Sequence, residues 1–384
     1  MKKFEEKFHS DRLHFFQLAS IPSVALGLAS IIIGQQLAKL YGAGTAVCSI
    51  VIGNLILWLI AIAIISMVDK IHMNAIENIK GYIGKYGGII AALVLLWAFL
   101  NWYAFQINFT IGEVSGLLPQ EVAGQKDMII RFGAVLGLFA AMLSIGGIRI
   151  LHRLTVFFLP LLFFYHIYAL WTAHKTVTLE GTWGLSFGAV LSTVLTVFPG
   201  YINFPTFFRH SRSKAHSILA LTTLTIFITF FEISTIWMDF SLPASSLFLY
   251  PLILLLLYFL LHVTFSNMLN IYLASACWEA IIPHLGSGKE YAIIGLFGTL
   301  IYTFVQVSTP VQFMQELTNS YVAILGIVLL LAYLMRIIIQ HRPRPHEKKV
   351  SLTTWLFGCA ISTFYEIQHF LQGEQALLAG VNAS

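Results

Sequence analysis

Residues 197–205 read VFPGYINFP and lie within an apolar stretch, near 187–207, that is long enough to cross a membrane. Proline lacks a backbone N–H donor and its ring clashes with the preceding helical turn, whereas glycine adds conformational freedom. Pro199 and Gly200 therefore predict an unwound backbone in the middle of this span, and Pro205 follows a few residues later. Interrupted helices of this kind mark binding sites in membrane transporters. The alternative interpretation is a simple kink.

The composition is that of a membrane protein. Of 384 residues, 58% are hydrophobic and only 10% are charged, and the mean hydropathy is +0.82. Soluble chains carry about 45–50% apolar and about 25% charged residues. A soluble enzyme, a nucleic-acid-binding protein and a disordered chain are therefore excluded. Cys48, Cys277 and Cys359 lie far apart in apolar runs, which predicts packing residues and no disulfide or metal site.

Hydropathy predicts eleven membrane-spanning helices, because each helix needs about 20 apolar residues to cross the bilayer. The runs are too long and too uniformly apolar for barrel strands. One transporter domain is expected over 1–384, with 1–16 cytoplasmic, a ten-helix core over 17–338 and an extra helix over 352–372. The predicted spans lie near 17–38, 44–68, 88–116, 129–148, 154–173, 187–207, 217–238, 247–280, 290–307, 318–338 and 352–372.

The distribution of basic residues predicts the orientation. With a cytoplasmic N-terminus, eighteen of the 22 Lys and Arg residues fall on the inner side of the membrane. Cytoplasmic loops of membrane proteins carry such an excess. The first span lacks a small-residue cleavage site, so we interpret it as a retained helix and not as a signal peptide. The protein is expected in the plasma (inner) membrane.

Two polar side chains of the third span suit a flat ligand. Trp102 and Gln106 are four residues apart, so they share one face of a helix. An indole can stack on a ring while an amide hydrogen-bonds the edge of that ring. The alternative is that Gln106 only hydrogen-bonds a neighbouring helix.

Polar residues in spans seven and eight are candidates for ion coupling, because polar groups at membrane depth are costly. Thr264, Ser266, Asn267 and Asn270 offer oxygen atoms that could bind a hard cation such as sodium. They could equally hydrogen-bond neighbouring helices. Glu232 is the lone acid well inside a span, and it is either a proton carrier or a paired group near an interface.

Six stretches also resemble a known family. They are GQQLAKLYGAGTAVCSIVIGN at 34–54, NWYAFQ at 101–106, GGIRILHRLTVFFLP at 146–160, FPTFFRHSRSKAH at 204–216, SNMLNIYLAS at 266–275 and AYLMR at 332–336. Their order and spacing over roughly 18–340 resemble the nucleobase–cation symporter family, which includes cytosine permeases and hydantoin, allantoin and purine transporters.

The resemblance implies the LeuT-type fold, an all-α membrane fold of two inverted five-helix repeats. Spans one and six would be discontinuous, with substrate and ion near the membrane midplane. Trp102 would stack on a heterocycle and Gln106 would hydrogen-bond it. Sodium ligands would come from backbone oxygens of span one and paired hydroxyls on span eight. The other implied substrate contacts are Gln35 or its neighbour Gly34, then Gly200 and Tyr201, and either Asn267 or Asn270.

Departures from the family pattern concern the ion and the span count. The hydroxyl pair on span eight reads Phe265-Ser266, so Thr264 would have to supply the second hydroxyl. Coupling to a proton therefore stays open beside coupling to sodium. Span six ends in Pro205-Thr206, where the family has an acid. Typical members have twelve spans, and eleven are predicted here.

The sequence as a whole predicts a secondary transporter that imports a nucleobase or related planar N-heterocycle together with Na⁺ or H⁺ by alternating access. Candidate coupling residues are Thr264, Ser266 and Glu232. The expected partners are this substrate and the lipid bilayer, with no nucleic acid, no obligate protein partner and no cofactor besides the ion. An amino acid is the nearest alternative substrate, because a half-helix N-terminus could bind its carboxylate. A membrane-embedded enzyme has less support, because catalytic motifs such as HExxH and GxSxG are missing.

Overall fold

The computed structural model is mostly helical in its described parts. These are residues 13–68, 73–116, 126–173, 183–237, 249–282, 289–308, 311–339 and 345–381. The helices are α1 (Phe15–Tyr41), α2 (Ala43–Met67), α3 (Ala75–Gly116), α4 (Lys126–Ser144), α5 (Gly147–Ala173), α6 (Phe187–Ile202), α7 (Phe204–Phe208), α8 (Lys214–Thr235), α9 (Leu249–Ile281), α10 (Lys289–Ser308), α11 (Val311–Ile339) and α12 (Pro345–Val381).

The described part of each predicted span lies mainly on one of these helices, except that span six is divided between α6 and α7. The predicted span 129–148 also runs past the end of α4 into the start of α5. Within the described residues, seven helical segments are long and apolar enough to cross a membrane, by length and composition. In α3 the helix bends at Gly84, whose φ of 80° is a backbone conformation that glycine adopts readily.

The core is built around α1, α3 and α9. Helix α3 packs against α9, α10 and α11, and α1 packs against α8 and α9. Where α1 crosses α8, Gly34 lies directly against the backbone of Glu232 and the side chain of Thr235. A residue without a side chain allows two helices to approach this closely.

The predicted break in span six lies a few residues away from its expected position. The backbone is α-helical through Pro199 and Gly200, and α6 ends at Ile202. The interruption is at Asn203 (φ −91°, ψ −1°), whose N–H donates to the carbonyl of Gly200 at 3.1 Å. Pro205 lies in the first turn of α7, where a missing N–H is tolerated. The second proline, and not the Pro199-Gly200 pair, therefore accompanies the break.

Span one is continuous, which corrects the expectation that it is interrupted. Helix α1 runs unbroken from Phe15 to Tyr41 with Pro22 inside it. No further proline follows in this helix, so later residues keep their N–H donors. Two serines beside the proline, Ser20 and Ser23, donate to carbonyl groups four residues earlier in the same helix.

Candidate functional site

A cavity of about 80 Å³ lies where α1, α3, α6, α9 and α11 meet beside the break in span six. Apolar side chains form most of its wall. No Lys, Arg, Asp or Glu is among the described residues that line it. The lining residues are Pro22, Ala25, Leu95, Ala98, Phe99, Trp102, Gln106, Thr196, Val197, Gly200, Tyr201, Asn203, Phe204, Ser266, Leu269, Asn270, Leu273 and Val322.

The face of α3 that carries Trp102 and Gln106 is turned toward this cavity. Trp102 is partly buried, and its indole N–H donates to Oδ1 of Asn319 on α11 at 3.1 Å. Its ring meets Phe105 edge-on, with ring centroids 5.6 Å apart. Asn319 was not among the predicted site residues, because a single asparagine near the start of an apolar span carries no distinctive signal.

Gln106 is joined across the cavity to span eight. Its Oε1 atom accepts a hydrogen bond from Nδ2 of Asn270 at 2.9 Å. Of the two asparagines left open by the sequence, Asn270 lines the cavity, whereas Asn267 is buried behind it and contacts Asn270 at 3.5 Å. Gln106 therefore both hydrogen-bonds a neighbouring helix and lines the cavity, the two alternatives that the sequence left open.

One side chain at the broken span carries an unpaired group. The Nδ2 group of Asn203 is buried, has no hydrogen-bond partner among the described residues, and belongs to a residue that lines the cavity. The Tyr201 hydroxyl instead lies near Thr225 and Glu232 of α8. A buried polar group without a partner is costly, so a ligand that offers a partner would be favoured. Gly200 lines the same wall.

The predicted contacts from span one lie elsewhere. Gly34 faces α8, and Gln35 is partly exposed. Neither lines the cavity, where α1 instead contributes Pro22 and Ala25. The cavity therefore lies closer to the N-terminal end of α1 than the glutamine pair does.

The predicted ion ligands of span eight point in different directions. Ser266 donates from Oγ to the backbone carbonyl of Ala25 in α1 at 2.5 Å. Thr264 donates to the carbonyl of Leu260 within its own helix at 2.7 Å. Thr264 therefore does not take the place of the hydroxyl that is missing at Phe265. Among the described residues there is also no group of three or more His, Cys, Asp or Glu that could hold a metal ion.

Glu232 lies one helix behind the cavity. Its side chain is 0% exposed, and its Oε2 atom accepts a hydrogen bond from Nδ2 of Asn54 on α2 at 2.5 Å. Thr235, one turn further along α8, donates to the carbonyl of Ser30 in α1 at 3.0 Å. Glu232 thus hydrogen-bonds α2 from the part of α8 that packs against α1.

Comparison with known proteins identifies the class of fold. The chain is similar to Mhp1, a nucleobase-cation-symport-1 family transporter, in its closed conformation with bromovinylhydantoin bound (14% identity, 96% of this chain and 94% of Mhp1, TM-score 0.64). It is also similar to inward-facing Mhp1 (14% identity, 94% and 92% covered, TM-score 0.60). A manganese transporter from Eremococcus coleocola is similar at 14% identity over 96% and 90% of the two chains, with a TM-score of 0.54.

The protein therefore has the LeuT-type fold, and it is an all-α integral membrane protein, as the sequence predicted. At 14% identity the likeness establishes the fold alone, and membership of the nucleobase–cation symporter family stays a prediction. Residues 80–203 match a family of unknown function, DUF5366. No curated protein matches the chain.

Proposed function

We propose that the protein is a secondary active transporter that imports a small, uncharged, planar N-heterocycle, a nucleobase or a relative, together with a cation. The observation that carries this proposal is the convergence of Trp102, Gln106, Asn270 and Tyr201 on one cavity beside the break in span six. The fold supports it, because substrate sites of such transporters lie at interrupted helices near the membrane midplane.

The chemistry of the cavity favours a flat neutral ring. The indole of Trp102 and the apolar walls suit the faces of the ring, and the Gln106–Asn270 amide pair suits its edge, because amides both donate and accept. A charged ligand would lack a counter-charge among the described lining residues. Mhp1 with bromovinylhydantoin bound supports an N-heterocyclic ligand.

An amino acid has less support as the substrate. Its carboxylate would need a positive charge or an exposed helix N-terminus. Helix α1 is continuous and offers no such terminus in the middle of the membrane. The short helix α7 has only five residues, so its dipole is weak.

Uptake by the purified protein in proteoliposomes tests the proposal. Radiolabelled cytosine, uracil, hypoxanthine and allantoin are compared with an amino-acid mixture, and transport of a heterocycle is expected. Stacking of a base on an aromatic side chain is worth about 1–3 kcal/mol, so Trp102→Ala should weaken binding by about 5- to 150-fold. Trp97→Ala is the matched control, because Trp97 is on the same helix but is 40% exposed on the outer surface. Equal uptake by both variants would refute the site.

A further inference from the structure

The hydrogen bonds of Glu232 and Asn54 leave one atom of each side chain without a partner. Nδ2 of Asn54 donates to Oε2 of Glu232. The other carboxyl oxygen, Oε1, and the amide oxygen of Asn54, Oδ1, are both buried and have no hydrogen-bond partner among the described residues. Both unpaired atoms are oxygens, so neither can donate to the other while the carboxyl group is ionised.

One proton would satisfy both atoms. A neutral carboxyl group carries an O–H donor, and Oε1–H could then donate to Oδ1 while Nδ2–H donates to Oε2, giving a cyclic pair with two hydrogen bonds. An ionised carboxylate at 0% exposure would instead rely on a single neutral amide donor. A buried charge is costly unless it is paired with an opposite charge.

Groups on the neighbouring helices do not supply that opposite charge. Helix α2 contributes Asn54 itself. No Lys or Arg among the described residues contributes an electrostatic interaction at Glu232. Tyr201 of α6 interacts electrostatically with Glu232. From α5, His166 contacts the ring of Phe231, with centroids 4.7 Å apart, and hydrogen-bonds the Leu162 carbonyl. From α1 the neighbours are Gly34 and the Ser30 carbonyl, which do not titrate.

We propose that the Glu232–Asn54 pair is a proton-binding site and that its proton is the ion coupled to transport. The coupling role rests on the proposed function, whereas the proton site does not. The proton adds to the Glu232 carboxylate from water on one side of the membrane and returns to water on the other. An O–H bond of hydronium breaks as the O–H bond on Glu232 forms, the reverse occurs on release, and no oxidation or reduction takes place.

The contacts of α8 explain how protonation of Glu232 would change the cavity. Glu232 and Thr235 lie against α1 at Gly34 and Ser30. The same helix α1 lines the cavity further along. Loss of the proton leaves a buried charge, which favours a conformation that admits water between α2 and α8. Because α1 packs on that surface of α8, its position at the cavity changes with the protonation of Glu232.

Infrared spectroscopy of the purified protein in lipid tests the proton site without any substrate. The wild type at neutral pH is expected to show the C=O stretch of a protonated carboxyl group, with a shift in D₂O, and Glu232→Gln should lack this band. Glu316→Gln is the control, because Glu316 is exposed, and it should keep the band. A wild-type spectrum without the band, or a Glu232→Gln spectrum that retains it, would overturn the proposal.

Transport driven by a pH gradient tests the coupling role. One pH unit corresponds to about a tenfold accumulation for one proton per substrate. Glu232→Gln keeps both hydrogen bonds of the neutral pair, so it should exchange labelled for unlabelled substrate at equal pH, while its accumulation ratio falls to about 1. Continued accumulation by this variant would refute the coupling. If the wild type transports no heterocycle but shows the protonated-carboxyl band, the proposed function fails and the proton site stands.

Discussion

The indole N–H of Trp102 donates to Oδ1 of Asn319, with 3.1 Å between the two heavy atoms, and so ties α3 to α11 at the wall of the cavity. A tryptophan side chain has two rotatable bonds, and a hydrogen bond at its edge restricts the plane of the ring. Asn319 is therefore a positioning residue for the aromatic surface on which the proposed substrate stacks.

Replacing Asn319 with leucine should weaken substrate binding by about fivefold, because one hydrogen bond contributes about 1 kcal/mol. The affinity can be measured by equilibrium binding of radiolabelled substrate to the purified protein. In a Trp102→Phe background, which has no indole N–H, the same change should have no further effect. Ser320→Ala is the control, because Ser320 bonds Glu366 instead. Equal losses in both backgrounds would contradict a role that acts through Trp102.

The amide pair between Gln106 and Asn270 predicts a non-additive pair of substitutions. Asn270→Leu leaves the Gln106 amide without this partner, and Gln106→Leu leaves Asn270 with only its longer 3.5 Å bond to Asn267. An amide that loses its partner costs about 1–3 kcal/mol. The double variant removes both polar groups, so its loss of thermal stability should be smaller than the sum of the two single losses. Substrate affinity should fall in all three variants. Strictly additive losses of stability would show that the 2.9 Å contact does not contribute.

The outcome for span six shows where sequence-based prediction was sufficient and where it was not. Helices were located correctly because their length and apolarity are local properties of the chain. The break was misplaced because a proline inside a membrane helix can be accommodated, whereas Pro205 occupies a favourable first turn. Asn319 could not have been found, since it meets Trp102 across 217 residues of sequence.

The contact between α1 and α8 predicts that Gly34 cannot be enlarged. An added Cβ atom would collide with the Glu232 carbonyl oxygen and the Thr235 hydroxyl group. Overpacking of this kind costs about 1–3 kcal/mol, so Gly34→Ala should lower the unfolding temperature of the purified protein. Gly112→Ala is the matched control, because no atom lies within 4 Å of an added Cβ there. Its unfolding temperature should be unchanged or raised. An unchanged temperature for Gly34→Ala would mean that the two helices are less closely packed.

Replacement of external Na⁺ by choline at constant pH is expected to leave uptake unchanged. A hard cation needs several oxygen ligands, and the Ser266 hydroxyl, the predicted ligand that contacts α1, is already bonded to the Ala25 carbonyl. Thr264 is bonded within its own helix and does not contribute.

Ser266→Ala separates the structural role of this hydroxyl from a role in ion binding. The substitution removes the bond to Ala25, so it should lower stability by about 1 kcal/mol, the net contribution of one hydrogen bond, because the Ala25 carbonyl keeps its backbone partner within the continuous helix α1. Uptake by this variant should be independent of the sodium concentration, as in the wild type. Uptake that rises with sodium in the wild type and loses that rise in Ser266→Ala would instead make the α1–α9 crossing the ion site and would leave Glu232 without a coupling role.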